Sequence, residues 1–316
     1  MTSLKIFEDN NHIFYVSSRG HNGTTWLSRS LSLHPDIVCW HGTRSIPPKA
    51  SNKNEETLSP HEFAKGLAAC NSSCQHSKIF GAVHGFWGID MKIPIEMENG
   101  AFLYLVRNPL NAINSNFVFK MKNIFSNITS QDDIKNLMLD LGLNEIDFEF
   151  KNDPNKEKKK SISPGDLLPD VSTNIKLNEE QFLVLRQFMI SVVEIVFYDY
   201  FNISAAGIDK MIKFEEMVSS TEYFEKNVIK KINSDIECSK EYLEIVFNQG
   251  VINQHSGQSY DVEQIRKKWL SFQNKIFDFV CFEGIYPIAD AYSRAQYSII
   301  PFSLETYIDK NFATLA

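Results

Sequence analysis

Cysteine is scarce in this chain: five in 316 residues, at Cys39, Cys70, Cys74, Cys238 and Cys281. A sparse, odd-numbered set builds no disulfide framework and suits a reducing compartment. Cys70 and Cys74 fit one turn of a helix, but no second ligand pair accompanies them, so no metal site is expected. Long apolar runs are missing as well. No stretch of about 18 apolar residues stands out, so no membrane span is expected. The opening residues, Met1 to Asp9, carry charge with no useful apolar stretch behind it. No secretory signal is expected there, and the reading is a cytoplasmic protein. A basic surplus is also lacking: 32 Lys and Arg stand against 39 Asp and Glu, a net charge of −7. That balance argues against a general nucleic-acid binder. No internal repeat is visible.

What is present begins near the N-terminus. Ile13-Phe14-Tyr15-Val16 is a short β-rich run, and Trp26 to Leu33 has a helical pattern. Between them lies Ser17-Ser18-Arg19-Gly20-His21-Asn22-Gly23-Thr24-Thr25. A strand, a tight polar loop and a helix start form a phosphate cradle, because the first-turn N–H groups are unpaired and the helix dipole adds positive charge. Gly23 permits close approach of an anion. The nucleoside-triphosphate motif G-x-x-x-x-G-K-[ST] is not met. Its first Gly falls on Ser18 and its Lys on Thr24. Without that Lys, ATP or GTP hydrolysis is disfavoured. The plain alternative is a turn in which a threonine caps the helix and nothing binds.

A second segment has related character. Ala101 to Val106 is an unbroken apolar run, as in a strand buried on both faces, and it ends in Arg107-Asn108-Pro109. Pro109 suits the first turn of a helix. Arg107 would sit at a strand's C-terminal end, where open α/β sheets bind ligands. Its guanidinium and the Ser115 hydroxyl can serve one phosphate. The alternative is an arginine paired with a carboxylate and a solvated serine.

The coarse pattern gives strands at 12–17, 36–40, 78–84, 101–107 and 210–214. Helices are expected at 24–33, 59–73, 109–120 and 178–200, and near 219–232, 238–249 and 261–282. Alternating elements of this kind imply an α/β fold, three layers with a central parallel sheet and a P-loop-like phosphate-binding loop. One domain over 1–316 is expected, with a polar insertion at 121–177 that holds one short helix near 131–141. A C-terminal extension at 292–316 completes it. Arg266, Lys267 and Lys268 read as a solvated helix face.

Together, His21-Asn22-Gly23-Thr24-Thr25-Trp26 and Arg107-Asn108-Pro109 through Ser115 resemble the sulfotransferase family. That family uses 3′-phosphoadenosine-5′-phosphosulfate (PAPS) and releases the bisphosphate PAP, without a metal. The resemblance implies that Arg19, Gly20, His21, Asn22, Gly23, Thr24 and Thr25 hold the phosphosulfate. It implies that Arg107 and Ser115 hold the 3′-phosphate, with Trp26 and Phe214 beside the adenine. Core packing is the alternative for Trp26. His84 ends the strand Lys78 to His84, where the small-molecule branch of the family has its general base. His41 and Arg44 after the second strand, and Phe86 and Trp87 after His84, would line a pocket for a small-molecule or carbohydrate acceptor. The chain departs from the family where His21 replaces the loop lysine and Asn22 the loop serine, so His21 or Arg19 would stabilise the leaving phosphate. The competing reading is a degenerate P-loop nucleotide-binding protein or kinase that transfers no sulfate.

Overall fold

The structure, a computed structural model, describes residues 13–42, 79–83, 101–146, 148–151, 168, 170–173, 176–249, 262–284 and 286–302. Among the described residues the strands are β1 (Ile13–Ser17), β2 (Ile37–His41), β3 (Ile79–Val83), β4 (Ala101–Val106), β5 (Phe148–Lys151), β6 (Asp170–Thr173) and β7 (Met211–Lys213). The helices are α1 (Thr24–Ser32), α2 (Pro109–Ile124), α3 (Gln131–Asp140), α4 (Glu179–Ala206) and α5 (Phe214–Ser219). They continue with α6 (221–232), α7 (Lys240–Phe247), α8 (Val262–Lys268), α9 (Ser271–Asp278) and α10 (Ile288–Arg294). α6 passes through a π turn at Glu225–Ile229, and a second π turn, Phe279–Glu283, extends α9. The helix expected at 59–73 lies outside the described residues.

Five strands form one parallel sheet in the order β2-β3-β1-β4-β7. All five residues of β1 and of β3 are buried, so the unbroken apolar runs are strands covered on both faces. Alternate residues Phe14, Val16, Leu103, Leu105 and Ile212 share one face with Trp26, Leu27 and Leu31 of α1. Phe224, Val228 and Ile229 of α6 and Val246 of α7 join the same core. The connection from β1 leads toward β2 at one edge, and β4 lies on the other side of β1. That reversal opens a crevice at the C-terminal ends of β1 and β4.

The chain divides into two compact units: Met1–Arg107 with Ala205–Asn253, and Asn108–Ser204 with Gln254–Ala316. The parallel sheet belongs to the first. In the second, Phe188 of α4 packs edge-on against Phe117 of α2 at 5.1 Å and against Trp269 at 5.3 Å. The Trp269 indole N–H donates to Asn114 Oδ1 at 2.8 Å. α3 starts at a capping box, with Ser130 accepting from the Asp133 N–H and Asp133 accepting from the Ser130 N–H.

Two expectations change here, and one long helix bears on a third. The 28-residue α4 is long and apolar enough by length and composition to cross a membrane. Val184, Leu185, Phe188, Val192, Val193 and Val196 are buried within the protein, which makes α4 a core helix. The polar insertion contains the antiparallel pair β5–β6 in addition to its helix. Arg266 is not on a solvated face: its side chain is 1 % exposed and pairs with Asp278 at 2.6 Å. Its Nε also donates to Asn274 Oδ1, and its Nη1 to the Ile300 carbonyl. The cause is the break at Leu270. α9 starts a new helical phase there, and the pattern expected as one helix over 261–282 no longer tells inside from outside.

Candidate functional site

The loop after β1 folds through three left-handed residues, Gly20 (φ 99°), His21 (φ 59°) and Gly23 (φ 84°). Such a conformation is strained for His21, since only Gly adopts it at no steric cost. Asn22 lies between them, fully buried, and its Nδ2 donates to the Leu105 carbonyl of β4 at 3.2 Å. That bond ties the loop to the neighbouring central strand. Gly23 is the N-cap of α1 and supplies no side-chain cap. A capping threonine, the plain alternative for this loop, does not form. The first turn of α1 thus starts at a glycine cap, at the positive end of the helix.

Gly23 is required sterically as well as conformationally. A methyl group on its Cα would fall 2.2 Å from Phe214 Cε2. Phe214, the first residue of α5, sits there because β7 pairs with β4 in the register Val106↔Lys213. Arg107 and Phe214 are the residues that immediately follow the two strands, so strand pairing sets them side by side. The Arg107 guanidinium lies 4.8 Å from the Phe214 ring centroid. Its Nη1 donates to the His21 carbonyl at 3.0 Å. Loop, arginine and aromatic ring, far apart in sequence, thus meet in the first unit. Arg19, His21 and Thr25 are half-buried at this place, and Thr24 is buried.

His41, expected on the acceptor side, ends β2 and turns its ring to the start of α1. Its Nε2 is 3.1 Å from Thr24 Oγ1 and 3.5 Å from Thr25 Oγ1. Desolvation of the ring holds the imidazole below the ordinary histidine range. Trp26 is buried in the core, edge-on to Phe224 at 5.7 Å and Phe247 at 5.9 Å. Ser115 is buried on α2 in the second unit. Asn108 caps α2, its side chain accepting from the Leu110 N–H at 3.1 Å, and Pro109 takes the first turn as the sequence indicated. His84, Arg44, Phe86 and Trp87 lie outside the described residues. No group of three or more His, Cys, Asp and Glu suited to a metal occurs among the described residues.

Two contacts had no clear signal in the sequence. One is the Asn22 bond to β4, hidden because 83 residues separate the partners. The other is the seat of Phe214 on Gly23, for which the apolar-then-acidic run ending β7 was only a weak pointer.

No protein-family model matches the chain, and no curated protein sequence does. Among solved structures, a mouse sulfotransferase, SULT7A1, complexed with PAP is similar over 90% of this chain and 88% of its own, at 13% identity and a TM-score of 0.46. A sulfotransferase from Alicyclobacillus acidocaldarius is similar over 91% of this chain and 96% of its own, at 11% identity and a TM-score of 0.41.

Proposed function

We propose that this chain is a sulfotransferase that moves a sulfuryl group from PAPS to a hydroxyl or amine acceptor. The observation that carries the reading is the cradle at the ends of β1 and β4. There a helix start capped by a glycine lies beside an arginine bonded to the same loop. In this reading the α1 first-turn N–H groups and the Thr24 and Thr25 hydroxyls hold the phosphosulfate. Arg107 takes the 3′-phosphate, and Phe214 offers its ring to the adenine. His84 accepts the acceptor's proton as the acceptor oxygen or nitrogen attacks sulfur and the S–O bond to the leaving phosphate breaks. His21 or Arg19 offsets the charge that develops on that phosphate.

Thermal unfolding with PAP, 5′-AMP and ATP–Mg²⁺ tests the nucleotide side. At ~100 times its dissociation constant a true ligand adds about 2.7 kcal/mol, or about 4 °C at this chain length. A shift with PAP alone, lost in Arg107→Ala, is expected. A shift only with ATP–Mg²⁺ would favour the kinase reading, and no shift with any of the three would remove the cradle's assignment. For the chemistry, His84→Ala should abolish most sulfate transfer while PAP affinity stays within about twofold.

A further inference from the structure

The contact between His41 and α1 has a direction. Each threonine hydroxyl carries one proton and two lone pairs, whereas a neutral imidazole donates from one nitrogen and accepts at the other. Where Nε2 bears hydrogen, it donates to Thr24 Oγ1, and the Thr24 proton is free to turn toward an anion at the helix start. Where Nε2 is bare, it draws that proton to itself and leaves lone pairs facing the anion. Thr24 is the principal partner at 3.1 Å, with Thr25 at the limit of reach at 3.5 Å. The N-cap of α1 is Gly23, so the capping position itself brings no side-chain oxygen to the helix start. His41 is exposed at its outer side, and the desolvated part of the ring lowers its pKa, which favours the neutral form whose tautomer sets the direction of the bond.

We propose that His41 is a positioning residue of the phosphate loop: its Nε2–H form turns the Thr24 hydroxyl, and with it Thr25, to donate to a bound phosphate or phosphosulfate. The proposal rests on the reading of this loop as the anion site. His41 touches no reacting atom in it. The tautomer acts through the threonines, and anion binding in turn selects the Nε2–H form.

The test titrates adenosine 3′,5′-bisphosphate, and separately inorganic pyrophosphate, into the full chain by calorimetry. Wild type, His41→Ala, His41→Gln, Thr24→Val and the Ala/Val double variant are compared. ¹⁵N-histidine NMR of the wild type with and without ligand is run beside it. Loss of one such hydrogen bond should weaken binding about fivefold to tenfold in His41→Ala. A Gln side chain donates N–H without titrating, so His41→Gln should recover most of that affinity. Thr24→Val should show a similar loss, and the double variant little more than either single one. In the complex, Nε2 should carry the ring proton. Wild-type affinity in His41→Ala, or a bare Nε2 in the complex, overturns the proposal, and the NMR arm decides even if His41→Ala fails to fold. Binding of pyrophosphate without the bisphosphate defeats the PAPS reading and leaves His41 to be judged on pyrophosphate. Binding of neither probe overturns both.

Discussion

Gly23→Ala offers the sharpest test of how the loop is built. The substitution acts through two effects that can be separated. A left-handed backbone costs alanine roughly 1–2 kcal/mol. The added methyl would also lie 2.2 Å from Phe214 Cε2 and 2.5 Å from Cδ2, so the ring must leave its place. Moving the ring gives up its contact with the Arg107 guanidinium, about 0.5–1 kcal/mol. The sum is about 1.5–3 kcal/mol. Gly142 is the control: its φ is +67°, and a methyl there meets nothing within 4 Å, so Gly142→Ala pays for the backbone alone. With about 2.1 cal/mol/K of unfolding entropy per residue, each kcal/mol is about 1.5 °C at this length. Thermal unfolding should therefore fall about 3 °C in Gly23→Ala and about 2 °C in Gly142→Ala. In a Phe214→Ala background the Gly23 change should shrink to the control's size, since the obstructing ring is gone. Equal shifts at the two glycines, or no relief from Phe214→Ala, would refute the argument that the ring seats on Gly23.

Arg266→Ala should cost about 3–5 kcal/mol in urea unfolding, because it strands the Asp278 carboxylate beside an apolar interior. The paired Arg266→Met, Asp278→Leu variant should recover most of it, and equal loss in both would contradict the pairing. Trp26→Ala should cost about 3–5 kcal/mol of stability, as expected for an aromatic ring removed from a core. Bisphosphate affinity per folded molecule should change less than about twofold if the ring serves only the core, and a large loss would return Trp26 to the adenine. The His41 ring, followed by NMR against pH, should titrate below the ordinary histidine midpoint. Unfolded chains then bind the proton first, so the His41 contribution to stability is intact above the ordinary histidine range and declines as pH falls through it.

The parts of the fold that were legible in the sequence are those whose signal is local. Ala101 to Val106 read as a buried strand because burial on both faces removes any alternation. Pro109 marked the start of α2 because its missing N–H costs nothing there. Most strand and helix ends moved by a residue or two; α2 runs four residues further, to Ile124, and α4 runs on to Ala206 before Gly207 at φ 82° stops it. β5 and β6 escaped notice because each is four residues long and set in polar surroundings, and their pairing is not local. Arg266 escaped because a helical pattern fixes which residues share a face only while the helix is unbroken, and α8 ends at Lys268.

The site divides along the same line, and the order of the strands explains why. Local pattern says that Ser17 to Thr25 is a loop leading into a helix. It cannot say that Leu105 and Arg107 will hold that loop, because this follows from β4 lying next to β1. Nor can it place Phe214, whose seat depends on the β4–β7 register. His41 is the intermediate case. In a parallel β–α–β unit the helix leaves the C-terminal end of one strand, runs back along the sheet, and the next strand returns beside it. The nine residues of α1 span about 13.5 Å and the five of β2 about 16 Å, so the return nearly matches the descent. The last residue of β2 therefore comes level with the first turn of α1. A histidine at the end of the strand that follows a phosphate loop's helix is, on geometry alone, a neighbour of that helix's first hydroxyls. The sequence held this inference, in the spacing of Thr24 and His41, once the connection between β1 and β2 was taken as a single helix.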